Sequence, residues 1–135
     1  TAAISRHTNA FKLNEDVVVP RSRLEELCDF AARLQRRHGL AVACFGHAGD
    51  GNVHVNLLKG DLDQQVFEQR LVEARQAIYD LTLSLGGTLT GEHGIGATRK
   101  AYLAQALGEV QVDIMRRIKD VFDPNHILNP GKIFV

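Results

Sequence analysis

The stretch Gly46-His47-Ala48-Gly49-Asp50-Gly51-Asn52-Val53-His54 carries two histidines around a turn signal. Asp50-Gly51 suits a type I′ turn, which needs positive φ at both central positions. A two-residue turn there sets His47 directly opposite His54. Directly paired residues share a sheet face, with Cβ atoms about 4.5–5.5 Å apart. Two imidazoles at that spacing can meet one metal ion. Asn56 follows on the same face. The flanking glycines also allow a wider loop. Two histidines near a turn are equally compatible with solvated or hydrogen-bonded side chains, and a metal site needs further ligands.

A second segment, Gly91-Glu92-His93-Gly94-Ile95-Gly96, offers such ligands. Its glycines let backbone approach a bound group closely. Glu92 supplies a hard oxygen, and two histidines with one glutamate form a known ligand set that leaves a position for substrate. His93 titrates near neutrality and suits a general base. The plainer alternative makes Glu92 a helix-start charge and His93 a cap. The glycines match neither the dinucleotide fingerprint nor the phosphate loop with its lysine.

The elements that must position these residues follow from periodicity. Residues 12–19 end in Val17-Val18-Val19 and read as a strand stopped by Pro20. Ser22 and Glu25 form a capping box for a helix carrying Leu24, Leu27, Ala31 and Leu34, closed by Gly39. Residues 40–47 read as a short buried strand, and 52–59 as another, with Val53, Val55 and Leu57 alternating. Asp61 and Asp63 are cap candidates for a long helix with Phe67, Leu71, Ala74, Ile78, Leu81 and Leu85 on one stripe, ended by Gly86-Gly87. Residues 88–90 are short and β-prone. The order is β-α-β-β-α-β, predicting an α+β, ferredoxin-like antiparallel sheet with helices on one face. Helical patterns over 99–107 and 110–122 follow. The latter has Val110, Ile114, Ile118 and Val121 on one face, and Phe67 and Phe122 read as core.

With 135 residues, the chain suits one domain spanning 1–135. Sixteen basic residues balance sixteen acidic ones, which gives no electrostatic reason to expect nucleic acid. No apolar run nears the roughly 20 residues of a membrane span, and residues 1–10 lack the apolar core of a signal peptide. Cys28 and Cys44 are too few for a disulfide framework and read as buried, reduced thiols, which fits a cytoplasmic setting. The start at Thr1 suggests a processed or trimmed piece. His7, His38 and His126 read as surface or capping residues, and Arg99 and Lys100 as a solvated helix face more readily than a carboxylate site.

The two glycine-histidine segments, together with Asp16-Val17-Val18-Val19-Pro20-Arg21-Ser22-Arg23-Leu24 and the ending from Phe122-Asp123-Pro124-Asn125 through Asn129-Pro130-Gly131-Lys132, resemble the C-terminal domain of FAD-linked oxidases. That family includes D-lactate dehydrogenase, the glycolate oxidase flavoprotein subunit and D-2-hydroxyglutarate dehydrogenase. The resemblance implies that His47, His54 and Glu92 bind a divalent metal, with zinc the first candidate, and that His93 is the base. It implies that Asn56 and Lys12 contact substrate and that Asn129 approaches the flavin. It implies oxidation of a D-2-hydroxy acid to a 2-oxo acid, with FAD held mainly by an N-terminal FAD-binding domain absent from this chain. On that reading the fragment alone is inactive. Its partners are the small acid, the absent domain and an electron acceptor that the sequence does not name; a homo-oligomer is left open. The full enzyme is expected in the cytoplasm or peripheral to the inner membrane. Two other readings stand beside it: a metal-dependent hydrolase using the same three ligands, and a non-catalytic ferredoxin-like binding module.

Overall fold

The computed structural model describes residues 12–134. Packing separates a unit ending at Gly91 from a unit starting at Glu92. The first contains strands β1 (Lys12–Val18), β2 (Ala41–His47) and β3 (Asn52–Leu58) and helices α1 (Leu24–His38) and α2 (Gln64–Ser84). The sheet is antiparallel in the order β1-β3-β2. Residues 88–90 contribute a single antiparallel bridge, Thr88 to Val18, so the fourth expected strand is reduced to one bonded pair on the outer side of β1. The element order and antiparallel pairing agree with the α+β, ferredoxin-like expectation.

Register decides what each face does, because alternate residues point to opposite sides. Leu13, Glu15 and Val17 share one face with Val53, Val55 and Leu57. Helices α1 and α2 pack on that side: Glu15 bonds Arg75 and Tyr79 of α2, and Val42 and Cys44 border a groove with Cys28 and Ala31 of α1. Val17, Val55, Leu57, Phe67, Ala74 and Ile78 form the dry interior of this layer.

The caps are part as expected and part not. Asp63 accepts the amides of Gln65 and Val66 and so starts α2. Gly39 closes α1 with φ 61°, its N–H bonded to the Gln35 carbonyl. Ser22, in contrast, makes no cap bond. A 3₁₀ turn, Arg21–Arg23, leads into α1 instead, closed by the Arg23 N–H on the Pro20 carbonyl, and Arg23 pairs with Glu26.

Other expectations are corrected. β2 is an exposed edge strand rather than a buried one; only Leu40, just before it, is fully buried. An apolar run does not reveal whether its strand ends at the edge or the centre of a sheet. Cys28 on α1 and Cys44 on this edge strand are exposed free cysteines, not buried ones. The central position falls to β3, buried along its whole length.

The second unit contains a 3₁₀ turn, Lys100–Tyr102, helix α3 (Leu103–Leu107) and helix α4 (Glu109–Phe122). Arg99 is buried, not solvated, and donates to the Gly94 carbonyl. It thereby ties the glycine-rich segment to the start of the helical part. Phe122 is 77% exposed and so is not core. It ends α4 beside an apolar stripe that points outward, with only Val112 of that helix buried. Asp123 accepts the amides of Ile127 and Leu128 and pairs with Lys119, fixing the turn into the tail. His126 is exposed at φ 53°, and Ile133 donates to the Gly96 carbonyl. Among the described residues, no helix is long and apolar enough to cross a membrane.

Candidate active site: a polar face on an antiparallel sheet

The sheet face away from the helices is polar. Four rows cross it: Val18, Asn52 and His47; Asp16, His54 and Phe45; Asn14, Asn56 and Ala43; and Lys12, Leu58 and Ala41 at its far end. Apolar residues at these places would pack a core. Here Asp16, Asn52, His54 and Asn56 are all buried. Burying polar groups costs free energy unless something satisfies them, so a face built this way is made for a ligand more readily than for stability.

His47 pairs with Asn52, not with His54, whose partner across the strand is Phe45. The expected two-residue turn is a wider one: Ala48–Asp50 form a 3₁₀ turn and Gly51 takes φ 74°. The added loop residues shift the pairing by an even count, so both histidines still share a face. They are diagonal neighbours, with ring centroids 6.0 Å apart and planes at 81°. His47 is exposed at the rim and His54 is buried, stacked at a tilt 5.3 Å from Phe45.

Gly51 is required at the turn. A Cβ there would lie 2.0 Å from the Val19 carbonyl oxygen, and the Gly51 carbonyl accepts the Val19 N–H. The loop that carries the histidines is therefore stitched to the end of β1.

Two amides have oxygens that are buried with no hydrogen-bond partner among the described residues: Asn52 Oδ1 and Asn56 Oδ1. Asn56 is oriented by its own Nδ2, which donates at 3.4 Å to the carbonyls of Ala43 and His54. Its acceptor is thus held on the polar face, where a ligand hydroxyl or cation would satisfy it.

Asp16 was not singled out by sequence reasoning, yet it lies at the centre. It is fully buried on β1, and its Oδ1 stands 3.6 Å from His54 Nδ1. Its Oδ2 accepts the Thr90 hydroxyl at 3.1 Å and the Gly91 N–H at 2.9 Å. The signal was present: an acid inside a Val-rich strand, in phase with Asn14 and Val18. Gly91 sits against Asn52; a Cβ would meet its Nδ2 at 2.7 Å.

In the second unit, Glu92 and His93 are exposed, and His93 Nε2 lies 3.6 Å from Glu92 Oε1. Gly94 and Gly96 both take positive φ, so the segment has the conformations that glycine permits. Neither residue caps one of the helices. Lys12 opens β1 opposite Leu58, but its side chain, like His7, lies outside the described residues. His38 is half-buried, its side chain turned toward Glu73 with Nδ1 3.5 Å from Oε2. Asn129 takes φ 47° in the tail and lines a cavity of about 230 Å³ with Arg116, Lys119 and Lys132.

Comparison with known proteins agrees with this architecture. Residues 1–133 match the family model described as FAD linked oxidases, C-terminal domain. The chain is 42% identical over 118 residues to a D-lactate dehydrogenase of Anaerostipes hadrus, covering 87% of this chain and 25% of that protein. It is 38% identical over 120 residues to glycolate oxidase subunit GlcD of Bacillus subtilis, covering 89% and 25%. It is 38% identical over 94 residues to a D-2-hydroxyglutarate dehydrogenase of Stutzerimonas stutzeri, covering 69% and 20%. The chain thus spans about a quarter or less of these relatives' lengths. The fold resembles a 4-ethylphenol oxidase from Gulosibacter chungangensis, with TM-score 0.66 at 21% identity, over 99% of this chain and 26% of the other.

Proposed function

The chain belongs to the FAD-linked oxidases, as their C-terminal domain, and on that premise we propose that it forms the substrate side of a flavoenzyme oxidising a D-2-hydroxy acid to the 2-oxo acid. The observation that carries this reading is the buried polar face formed by Asp16, Asn52, His54 and Asn56, on which the Asn52 and Asn56 Oδ1 atoms have no hydrogen-bond partner among the described residues. Relatives named for lactate, glycolate and 2-hydroxyglutarate support the substrate class.

The donor set suits a divalent ion. Two imidazoles lie on one face, and Glu92 directly follows Gly91, whose N–H is anchored on Asp16 beside His54. His47, His54 and Glu92 would hold such an ion, with zinc the first candidate, and it would supply Lewis acidity toward a substrate hydroxyl. FAD, which would be held chiefly by the FAD-binding domain of a full-length enzyme, would supply the hydride acceptor.

The chain's own residues bind and move the proton. Asn56 Oδ1 orients the substrate, accepting a hydrogen bond that the fold leaves open. Lys12 is assigned to the substrate carboxylate as a cation at the start of β1. His93, whose Nε2 lies 3.6 Å from Glu92 Oε1, takes the hydroxyl proton. The α-carbon loses hydride and the oxygen loses a proton, leaving the 2-oxo acid.

The test uses the full-length protein with flavin bound. D-Lactate, glycolate or D-2-hydroxyglutarate should bleach the flavin anaerobically. His54→Ala should lose the metal, and His93→Ala should keep it while turnover falls on the order of 100-fold. Flavin that none of the three acids reduces would reject the substrate class. Full turnover after complete removal of metal would reject the metal role.

A further inference from the structure

We propose that Asp16 is a positioning residue that fixes the His54 ring with its proton on Nδ1, leaving Nε2 as the ligand atom, and that it also anchors the chain leading into Glu92. This rests on the metal reading above and adds a residue to it.

A carboxylate in the interior of a strand is costly to bury, and Val would be the favoured residue there. Asp16 is nevertheless fully buried, and each of its oxygens has a separate task. Oδ2 holds the Thr90 hydroxyl and the Gly91 N–H, which are contributed by the two residues just before Glu92. With that oxygen engaged, Oδ1 is the one that faces His54 Nδ1, at 3.6 Å from the residue directly opposite in the sheet.

A neutral imidazole carries one proton, on either nitrogen. An adjacent carboxylate stabilises the tautomer whose N–H points toward it, so Nδ1 keeps the proton and Nε2 keeps its lone pair. Asp16 therefore acts through His54 and through the Thr90 hydroxyl and Gly91 N–H, without touching substrate.

Two measurements on the full-length protein decide this. The first is the His54 tautomer in wild-type, zinc-free protein, read by long-range ¹H–¹⁵N correlation with ¹⁵N-histidine above the pH where the ring titrates. A proton on Nδ1 is expected; a proton on Nε2 overturns the proposal. The second is zinc affinity by competition with a chromophoric chelator. Asp16→Asn keeps an acceptor for Gly91 and Thr90 but loses the charge, and it should weaken binding about 10- to 100-fold. Affinity within twofold of wild type overturns the proposal. Should Asp16→Asn fail to fold, the wild-type tautomer decides alone. Wild-type protein that binds no zinc would reject the metal reading itself, while the tautomer still reports on Asp16.

Discussion

Tyr79 donates its hydroxyl to Glu15 Oε2 at 2.5 Å, beneath the sheet and on the opposite side from the histidines. Arg75 holds the other oxygen at 2.8 Å. Both oxygens of an acid on β1 are thus bonded from α2, which ties the helix to the strand that also carries Asp16. Tyr79→Phe removes one donor and leaves the buried carboxylate underpaired. Chemical denaturation should show a loss of about 1.5–3 kcal/mol, and an unchanged midpoint would mean that Arg75 alone is sufficient.

Gly51→Ala tests the stitched loop. Its positive φ disfavours any side chain, and the added Cβ would strike the Val19 carbonyl. Strain and overlap together should cost roughly 3 kcal/mol or more. The same variant should disturb His47 and His54, because their diagonal relation depends on this turn. Denaturation and the histidine resonances report the two effects separately.

Much of this arrangement was readable beforehand. Element order follows from the placement of Pro20, Gly39, Asp63 and Gly86, each a local backbone effect. The shared face of His47 and His54 survived a wrong turn length, because only parity matters for facing. Their exact pairing did not survive, since Asp50-Gly51 as a turn signal says nothing of the Ala48–Asp50 3₁₀ turn before it. Strand burial was misassigned because lateral order in a sheet is a long-range property. Asp16 was passed over because its importance lies in partners at Thr90 and Gly91, far away in sequence.

Cys44 illustrates a consequence of that edge position. The residue is accessible, yet its thiol faces a groove with Ala31, Ala32 and Val42, and burial with a smaller effect of Cys28 pushes its pKa up to about 11. Thiolate is the reactive form, so at pH 8 alkylation of Cys44 should be on the order of 100-fold slower than that of an unperturbed thiol. Timed iodoacetamide labelling with peptide mass mapping measures this. Labelling of Cys44 at the rate of a model thiol would contradict it.

Asp123 predicts an acid-labile tail. The hydrogen bond from Lys119 holds its carboxyl below the usual range, with help from the Ile127 and Leu128 amides and against some desolvation. A carboxyl with a depressed folded pKa contributes stability above its unfolded value, near 3.9, and that contribution is lost as pH falls through the folded value. Protection of the Ile127 and Leu128 amides, corrected for intrinsic exchange, should therefore decline below about pH 4. In Asp123→Asn the protection should be lower at neutral pH and lose this acid dependence.

Asn56→Leu separates binding from folding. Asn56 is fully buried, its Oδ1 has no partner among the described residues, and its Nδ2 contacts are long at 3.4 Å. Replacing an underpaired buried amide with an apolar group of similar size removes a desolvation cost. The full-length variant should be as stable as wild type or more stable by up to about 1 kcal/mol. If Asn56 orients the substrate, kcat/KM for the hydroxy acid should fall on the order of 100-fold, since a lost polar contact to substrate is worth about 3 kcal/mol. Melting curves and steady-state kinetics on one preparation provide both numbers. Lower stability with unchanged kcat/KM would make Asn56 a structural residue and remove it from the site.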